Sequence, residues 1–463
     1  MNPILTQMHT RSPEEVFSID PRDAAQMQLE SLKERFDELR PRIPGLNIVA
    51  DDVGVDSIDQ LEDVVPLCLP HTTYKSYSAK HIDSGRYDRL TQWLDGWTSE
   101  DLSTIDVSGC DSLESWLDAL EAKSNLYVTV SSGTTGKVSF FPRGDREAEI
   151  FVRYVVQTLS GFRDEPDAGL ATGEPEWFAA FPMATGRQNF PRMFQLLQRY
   201  VYGGDPSRMH TLGKGHWDAD MLWLWGRIRS AEARGENFTG TLTPALERVR
   251  ERVQGELDTA AANSAQFLRE LVEDFRGKRI LVFGPRGSLI NLASMCKERG
   301  LQPELGPGSF IFTGGASGSK GDVFPEGWEQ LLDSVFPPPH SEVYGMTELT
   351  TACRLCSAHW FHLPHTVIPF LLDPDTSLPL PRTGVVTGRL AVFDLNAETY
   401  WGGTITGDRV TIDWDGGCPC GRLGARINYD VTRYTQLQND DKITCAKSPG
   451  AYERAVDTLM SMN

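Results

Sequence analysis

Short β-prone runs that end in glycine-containing turns constrain the fold of this chain more than any other feature. One apolar run of this kind precedes a helical stretch near residues 145–160, and three follow a helical region near 244–276: Leu126–Val130, Arg279–Phe283, Ser309–Phe312 and Glu342–Tyr344. Strands that alternate with helices predict a mostly parallel α/β sheet. Ligands bind such sheets at the carboxyl ends of the strands, so the glycine turns mark the expected binding edge.

Composition and charge exclude several classes of protein. The formal net charge of −19 argues against a nucleic-acid or anionic-membrane binder, because phosphate-rich surfaces would repel the chain. No stretch approaches the roughly 20 apolar residues that span a bilayer, and the N-terminus lacks a signal-peptide pattern. A cytoplasmic location is therefore expected. Eight cysteines in 463 residues do not indicate a disulfide framework.

The segment from Ser131 to Lys137 is the strongest functional feature. It follows the first β-prone run and consists of Ser131, Ser132, Gly133, Thr134, Thr135, Gly136 and Lys137. The two glycines allow the backbone to approach a ligand closely, and the hydroxyl, N–H and ammonium groups suit a polyphosphate. The spacing differs from the Walker pattern, which excludes a P-loop NTPase. Taken alone, the segment is also compatible with an ordinary surface turn.

Three motifs further along the chain complement this segment. Thr313–Ala316 is a turn of small residues that leaves room for a flat ring, with Gly315 and Ala316 at its end. Tyr344–Glu348 offers an aromatic ring for a purine, a threonine hydroxyl for a phosphate and a carboxylate for Mg²⁺. Thr406–Asp408 offers a carboxylate that can accept both hydroxyls of a ribose. Together the motifs supply partners for every part of Mg-ATP.

The order and spacing of these motifs resemble the adenylate-forming superfamily of acyl-CoA synthetases, adenylation domains and luciferases. Within it the chain is most similar to the phenylacetate–CoA ligase branch. Three segments carry that closer resemblance: Leu67–Lys75, Ser132–Lys137 without a following proline-lysine, and Cys418–Arg422. The resemblance implies that a carboxylic acid attacks the α-phosphate of Mg-ATP to give an acyl-adenylate and pyrophosphate. An acceptor then displaces AMP.

The resemblance also implies roles for individual residues. Ser131 to Lys137 would hold the β- and γ-phosphates, and Lys137, Thr347 and Glu348 would be the catalytic residues. Thr347 would contact the α-phosphate, and Glu348 would bind Mg²⁺. The remaining nucleotide contacts would be Gly315 and Ala316 beside adenine, Tyr344 and Gly345 around the ring, Asp408 on the ribose, and Arg433 at the ribose or hinge.

The predicted architecture is a large α/β domain with mostly parallel sheets flanked by helices, a small β-rich subdomain and a truncated C-terminal domain. The boundaries are an N-terminal helical region at 1–125, a nucleotide-binding core at 126–375, a β-rich subdomain at 376–433 and a C-terminal remnant at 434–463. The remnant has room for one strand and one helix, and the late lysine that the family uses in adenylation is missing from it. Two alternatives follow: adenylation proceeds without that lysine, or another residue or another chain supplies the positive charge.

A second cluster of residues predicts a metal site. Cys356, Cys418 and Cys420 together with His362 or His365 would give three thiolates and one imidazole, a known structural zinc set. Cys353 is the alternative fourth ligand. The other interpretation is reduced cysteines packed as small hydrophobic residues.

The expected activity is ATP-dependent activation of a small carboxylic acid, aryl or apolar, with transfer to a thiol such as coenzyme A. Two alternatives remain open. The acceptor can be an amine or a carrier protein, or the protein can bind nucleotide without catalysis.

Overall fold

The computed structural model describes most of the chain in detail. The described residues are 1–131, 137–163, 165, 176–180, 183–233, 235–236, 243–314, 324, 326–337 and 340–434. The predictions for 132–136, 315–316 and 435–463 therefore lie outside the described residues. No helix in the described part combines the length and apolar character needed to cross a bilayer.

Several α-helices begin beside a residue whose side chain caps the first turn. In α3, for example, the Asp20 side chain accepts from the N–H of Arg22 and Pro21 occupies the first turn. The helices are α1 Pro3–Thr6, α2 Pro13–Phe17, α3 Pro21–Leu39, α4 Pro44–Val53, α5 Ala79–Asp83, α6 Tyr87–Asp95, α7 Leu113–Lys123, α8 Asp145–Leu159, α9 Asn189–Tyr200, α10 Ala219–Ala233, α11 Pro244–Arg269, α12 Arg286–Glu298 and α13 Trp328–Val335.

The strands form two large sheets and two small ones. They are β1 Leu69–Pro70, β2 Leu126–Val130, β3 Phe140–Gly144, β4 Glu176–Ala179, β5 Met183–Gly186, β6 Met209–Thr211, β7 Gly215–Trp217, β8 Ile280–Pro285, β9 Phe310–Gly314, β10 His340–Gly345, β11 Ala352–Arg354, β12 Trp360–His362, β13 Val367–Leu372, β14 Val385–Asp394, β15 Gly403–Asp413, β16 Arg426–Asn428 and β17 Thr432–Arg433.

The first large sheet has the strand order β11-β10-β9-β8-β4-β6, and every neighbouring pair except β10–β11 is parallel. Side chains alternate between its two faces. Leu281, Phe283 and Phe312 pack on one face with α8 and α9, whereas Val282 and Ile311 pack on the other with α11, α12 and α13. Because helices cover both faces, the central strand β8 carries apolar side chains on both of its faces, as is typical of parallel sheets.

The second large sheet, with the order β12-β16-β15-β14-β13, is antiparallel along this path. β17 pairs with β15 and sets Arg433 opposite Asp408. One face packs against the N-terminal helices around buried Trp93, Trp97 and Trp401. The predicted α/β class with parallel and β-rich parts is thus confirmed, whereas the domain boundaries remain a prediction.

The strand before the predicted phosphate-binding segment belongs to neither large sheet. β2 pairs only with β3 among the described strands, antiparallel, in register from Leu126 opposite Gly144 to Val130 opposite Phe140. β2 and β3 therefore form a β-hairpin. The hairpin leads directly into α8, where the Glu147 carboxylate accepts from the N–H of Gly144.

Candidate functional site

A cavity of about 430 Å³ lies where the β2–β3 hairpin, α8, α9 and the carboxyl ends of β9 and β10 meet. Residues from two of the predicted motifs line it, Ser131 and Lys137 from the first and Gly345, Thr347 and Glu348 from the second, together with the separately predicted Arg433. These positions are separated by up to about 300 residues of sequence, yet they share one concave surface. The cavity occupies the edge of the parallel sheet at which ligands bind in this class of fold.

One side of the cavity is continuously apolar. Phe151 and Val155 of α8, Met193 of α9, Phe312 of β9 and Val343 of β10 line it, and all five belong to a single buried cluster. The periodicity of α8 and α9 explains this, because residues about one turn apart lie on the same helix face. The apolar wall can bind an apolar group but cannot stabilise a charged one.

The two described ends of the predicted phosphate-binding segment, Ser131 and Lys137, are held by local hydrogen bonds. The Ser131 N–H donates to the Ser139 carbonyl at 3.1 Å, and the Ser139 N–H donates to Ser131 Oγ at 2.8 Å. Lys137 Nζ donates to the Tyr77 carbonyl at 2.7 Å and lies 5.3 Å from the centroid of the Tyr77 ring. Burial lowers the Lys137 pKa. Lys137 thus lines the cavity, and its ammonium group donates to the carbonyl of Tyr77.

Thr347 and Glu348 belong to the short loop between β10 and β11. Both residues line the cavity, and Asn189 Nδ2 at the start of α9 donates to Thr347 Oγ1 at 3.3 Å. Burial raises the Glu348 pKa. Desolvation disfavours the charged carboxylate and a nearby cation favours it, so a cation at this position would offset the effect of burial. The position of Glu348 therefore suits a cation ligand.

Tyr344 and Asp408 differ from the sequence-based expectation. The Tyr344 hydroxyl donates to Asp408 Oδ2 at 2.8 Å, and Arg433 Nε lies 3.2 Å from Asp408 Oδ1. Tyr344 is 3% exposed, and its ring packs against Phe361 in the core of the second sheet. The two side chains therefore face each other behind the cavity wall. Neither side chain lines the cavity in this structure.

The structure adds cavity residues that the motifs did not predict. His71 and Lys75, in the segment after β1, line the cavity. Gln188 and Asn189, at the start of α9, line it as well. Leu67–Lys75 is one of the segments that carry the family resemblance. Its spacing in the sequence did not indicate that its polar residues would line the cavity. Asn189 carried no sequence signal, because an asparagine at the beginning of a helix is ordinarily a cap.

The predicted metal ligands come together in a second site. The ligand atoms of Cys356, His362, Cys418 and Cys420 all lie within 4.8 Å of one another. Cys356 Sγ lies 3.7 Å from Cys418 Sγ, and Cys420 Sγ lies 3.5 Å from His362 Nε2. For tetrahedral zinc, with Zn–S of about 2.3 Å and Zn–N of about 2.0 Å, the corresponding edges are about 3.8 and 3.5 Å. These two donor–donor separations match the edges of a tetrahedral zinc site.

The electrostatics of this cluster favour a thiolate. The Cys356 thiol and the His362 imidazole beside Cys420 lower the pKa of Cys420. The guanidinium of Arg422 approaches the same sulfur at 3.5 Å. A site that stabilises a thiolate before a metal arrives is suited to bind one, because the ligand form of cysteine is the thiolate.

The structure also decides between the alternative ligands. His365 lies outside the cluster, and its burial lowers its pKa to about 4. Cys353 likewise lies outside the cluster, on β11 opposite Tyr344. Of the two histidines that the sequence left open, His362 is the one that contacts the cysteines.

Comparison with known proteins gives matches only among solved structures, since no family profile and no curated protein matches the chain. An open conformation of 2-hydroxyisobutyryl-CoA ligase in complex with 2-HIB-AMP and CoA is 14% identical, with 90% of this chain and 76% of that chain covered and a TM-score of 0.48. ATP-bound MatB from Rhodopseudomonas palustris is 14% identical, with coverages of 68% and 52% and a TM-score of 0.31. The amide bond synthetase McbA from Marinactinospora thermotolerans is 13% identical, with coverages of 64% and 47% and a TM-score of 0.34. Similarity at this level does not identify a family, so the functional argument rests on the residues of this chain.

Proposed function

We propose that the protein uses Mg-ATP to convert an organic carboxylic acid into an acyl-adenylate, with release of pyrophosphate. The observation that supports this proposal is the convergence of Ser131, Lys137, Thr347, Glu348 and Arg433 on one cavity that also has an apolar wall. Polar groups for a nucleotide and an apolar surface for an acid are the two requirements of such a reaction.

The proposed chemistry follows from the position of each group. A carboxylate oxygen of the acid attacks the α-phosphorus, the bond to the bridging oxygen breaks, and pyrophosphate leaves. Thr347 donates its hydroxyl hydrogen to an α-phosphate oxygen, while Ser131 and Lys137 stabilise the departing phosphates. Glu348 would hold Mg²⁺, which would supply positive charge to offset that of the phosphates. The catalytic contribution is positioning and electrostatic stabilisation, with no covalent intermediate on the protein.

The proposed substrate is an aryl or other apolar acid. Phe151, Met193 and Phe312 present carbon surface to the cavity and offer no hydrogen-bonding group to a polar substituent. A hydroxyl or charge buried against this wall would lose its hydration without compensation. The proposed acceptor in the second step is a thiol such as coenzyme A, with an amine or a carrier protein as the alternative.

We also propose that Cys356, His362, Cys418 and Cys420 hold a structural zinc ion. Four protein ligands complete a tetrahedral shell and leave no position for a substrate. The site is separate from the adenylation cavity, and it contributes to folding and not to the reaction.

Pyrophosphate release on mixing the protein with Mg-ATP and a panel of acids tests the proposal. We expect turnover with aryl and aliphatic acids and none with short polar acids. Glu348→Gln should reduce turnover by at least about a hundredfold, because a neutral amide binds Mg²⁺ poorly. Glu398→Gln, which changes a carboxylate paired with Arg35 and Arg146, is the control and should retain activity.

The outcomes separate the alternatives. Binding of ATP without pyrophosphate release from any acid would favour a catalytically silent protein and contradict the proposal. Full activity of Glu348→Gln would show that the Glu348 carboxylate is not required for the reaction. Mass spectrometry of the products formed with coenzyme A, amines or a carrier protein identifies the acceptor.

A further inference from the structure

Three buried polar side chains bind the backbone of the loop that carries Thr347 and Glu348. They are Arg143 on β3, Asp394 at the end of β14 and Tyr400 in the segment between β14 and β15. Their exposed fractions are 2%, 0% and 0%. None of the three lines the cavity. They therefore contact the loop without lining the cavity.

Each residue from 347 to 350 has a main-chain group bonded to one of these side chains. Arg143 Nη2 donates to the carbonyl of Thr347 at 2.6 Å and also to the carbonyl of Leu349. The Tyr400 hydroxyl donates to the carbonyl of Glu348 at 3.1 Å. Asp394 Oδ2 accepts from the N–H of Thr350 at 2.6 Å and from its hydroxyl at 2.7 Å.

This pattern does not arise from secondary structure. The loop joins β10 to β11, and a turn of this length would ordinarily pair its own backbone groups or leave them to water. Here three separate parts of the chain each supply a side chain to it. Hydrogen bonds from charged groups in a dry interior are strong and directional, so they fix the loop more tightly than water would.

Arg143 also contacts a residue of the apolar cavity wall. Its guanidinium carbon lies 5.3 Å from the centroid of the Phe151 ring, and Phe151 lines the apolar side of the cavity. The same side chain therefore contacts the loop that bears the proposed catalytic groups and the surface that would receive the acid.

We infer that Arg143, Asp394 and Tyr400 are positioning residues that hold the 347–350 backbone in the geometry needed for adenylation. The inference rests on the proposed function for the reaction that it serves. Transition-state stabilisation requires donors and charges that are already oriented, because reorienting them during the reaction would cost free energy. Displacement of a catalytic group by about 1 Å can reduce the rate about a hundredfold.

Tyr400→Phe is the decisive variant, because it removes one hydroxyl and keeps the packed ring. We expect kcat for pyrophosphate release to fall about tenfold or more, with the KM for the acid within about twofold of the wild type. Tyr154→Phe is the matched control. It also removes a buried tyrosine hydroxyl, which bonds to Thr366 Oγ1 at 2.7 Å, and no hydrogen bond in the described part of the chain joins that hydroxyl to residues 346–351. Its melting temperature should fall as much as that of Tyr400→Phe, while its kcat should not change.

Asp394→Asn and Asp394→Ala form a second pair. Asparagine retains an oxygen that can accept from Thr350, so it should restore part of the kcat lost in the alanine variant. Hydrogen exchange of the 346–352 backbone, followed by mass spectrometry, measures the order of the loop without any turnover. Exchange should be faster in Tyr400→Phe than in Tyr154→Phe.

The results separate the inference from the proposed function. If the wild type turns over and Tyr400→Phe matches Tyr154→Phe in kcat and exchange, the positioning inference is wrong. If the wild type releases no pyrophosphate with any acid, the proposed function fails. Hydrogen exchange of residues 346–352 can then still be compared between Tyr400→Phe and Tyr154→Phe. Equal exchange rates in the two variants would overturn the inference without any measurement of turnover.

Discussion

At the scale of single residues, the interaction of Asp408 with Tyr344 and Arg433 is the most informative. The sequence predicted a nucleotide contact for all three residues, and the structure bonds them to one another. Asp408 is buried, so its carboxylate requires donors whenever no ligand supplies them. Arg433 is largely exposed, and it can leave Asp408 at a smaller cost than Tyr344 can.

Asp408→Asn should separate nucleotide binding from folding. The amide oxygen can still accept from Tyr344, so the melting temperature should change little. A ribose bound to a neutral amide loses charge-assisted hydrogen bonds, and we expect the KM for ATP to rise about tenfold with the KM for the acid unchanged. Steady-state kinetics with each substrate varied in turn provides the measurement.

Asp413→Asn is the control for this variant, because Asp413 lies on the same strand and pairs with Arg426 at 2.7 Å. Its KM for ATP should remain that of the wild type. An unchanged KM for ATP in Asp408→Asn would show that the carboxylate does not bind the ribose.

At the scale of elements, an ion network around the buried side chain of Arg187 connects α7 to the beginning of α9. Arg187 contacts three carboxylates of α7: Glu114 at 2.7 Å, Asp118, and Glu121 at 2.7 Å. Arg192 of α9 also contacts Glu121, at 2.5 Å. The Arg187 carbonyl accepts from the N–H of Val130 at 2.8 Å. The network thus links the end of β2 to the helix that carries Asn189.

Glu114 gives this network a pH dependence. Burial alone would raise its pKa, but His216 and Arg187 outweigh burial and lower the pKa to about 2. A depressed folded-state pKa means that the stabilisation is present above the unfolded pKa of about 4.5 and is lost as the pH falls towards 2. Glu114→Gln should destabilise the protein at pH 7, and the difference from the wild type should shrink by about 2 kcal/mol at pH 3.

Urea unfolding at the two pH values measures this difference. Glu149→Gln is the control, because Glu149 pairs with Arg153 on the exposed face of α8 and such pairs contribute little. A difference between Glu114→Gln and the wild type that is the same at pH 7 and pH 3 would contradict the assignment.

At the scale of the whole molecule, the metal cluster lies where distant parts of the chain meet. Arg422, two residues after Cys420, forms a bidentate ion pair with Glu165 at 2.8 and 2.6 Å. Its guanidinium also lies over the ring of Phe17 in α2, and the N–H of Leu423 donates to the Phe17 carbonyl at 2.8 Å. The cluster therefore joins the second sheet to the N-terminal helices and to the segment after α8.

Loss of the metal should destabilise the whole fold. We expect about one zinc per chain by elemental analysis, and Cys418→Ser should lose it and lower the melting temperature by several degrees, because metal binding contributes directly to folding. Cys353→Ser is the control, since Cys353 is equally buried but lies outside the cluster. Retention of zinc by Cys418→Ser would contradict the ligand assignment.

The sequence alone was sufficient to predict the features that depend on residues close together along the chain. The alternation of helices with apolar runs ending in glycine turns predicted the α/β class, and the strands at 280–285, 310–314 and 340–345 lie close to the predicted runs. The donor set of Cys356, Cys418 and Cys420 was predicted for a similar reason, because thiolates in close pairs serve few chemical purposes. Residue type and short-range spacing carry this information directly.

Only the tertiary structure decided which side chains meet. It placed His362 and not His365 against the cysteines, turned Tyr344 towards Asp408, and brought Arg143, Asp394 and Tyr400 to one loop from three parts of the chain. Periodicity reports the face of an element on which a residue lies, but not which other element packs there. Long-range contacts depend on the mutual packing of whole sheets and helices, so spacing along the chain could not determine them.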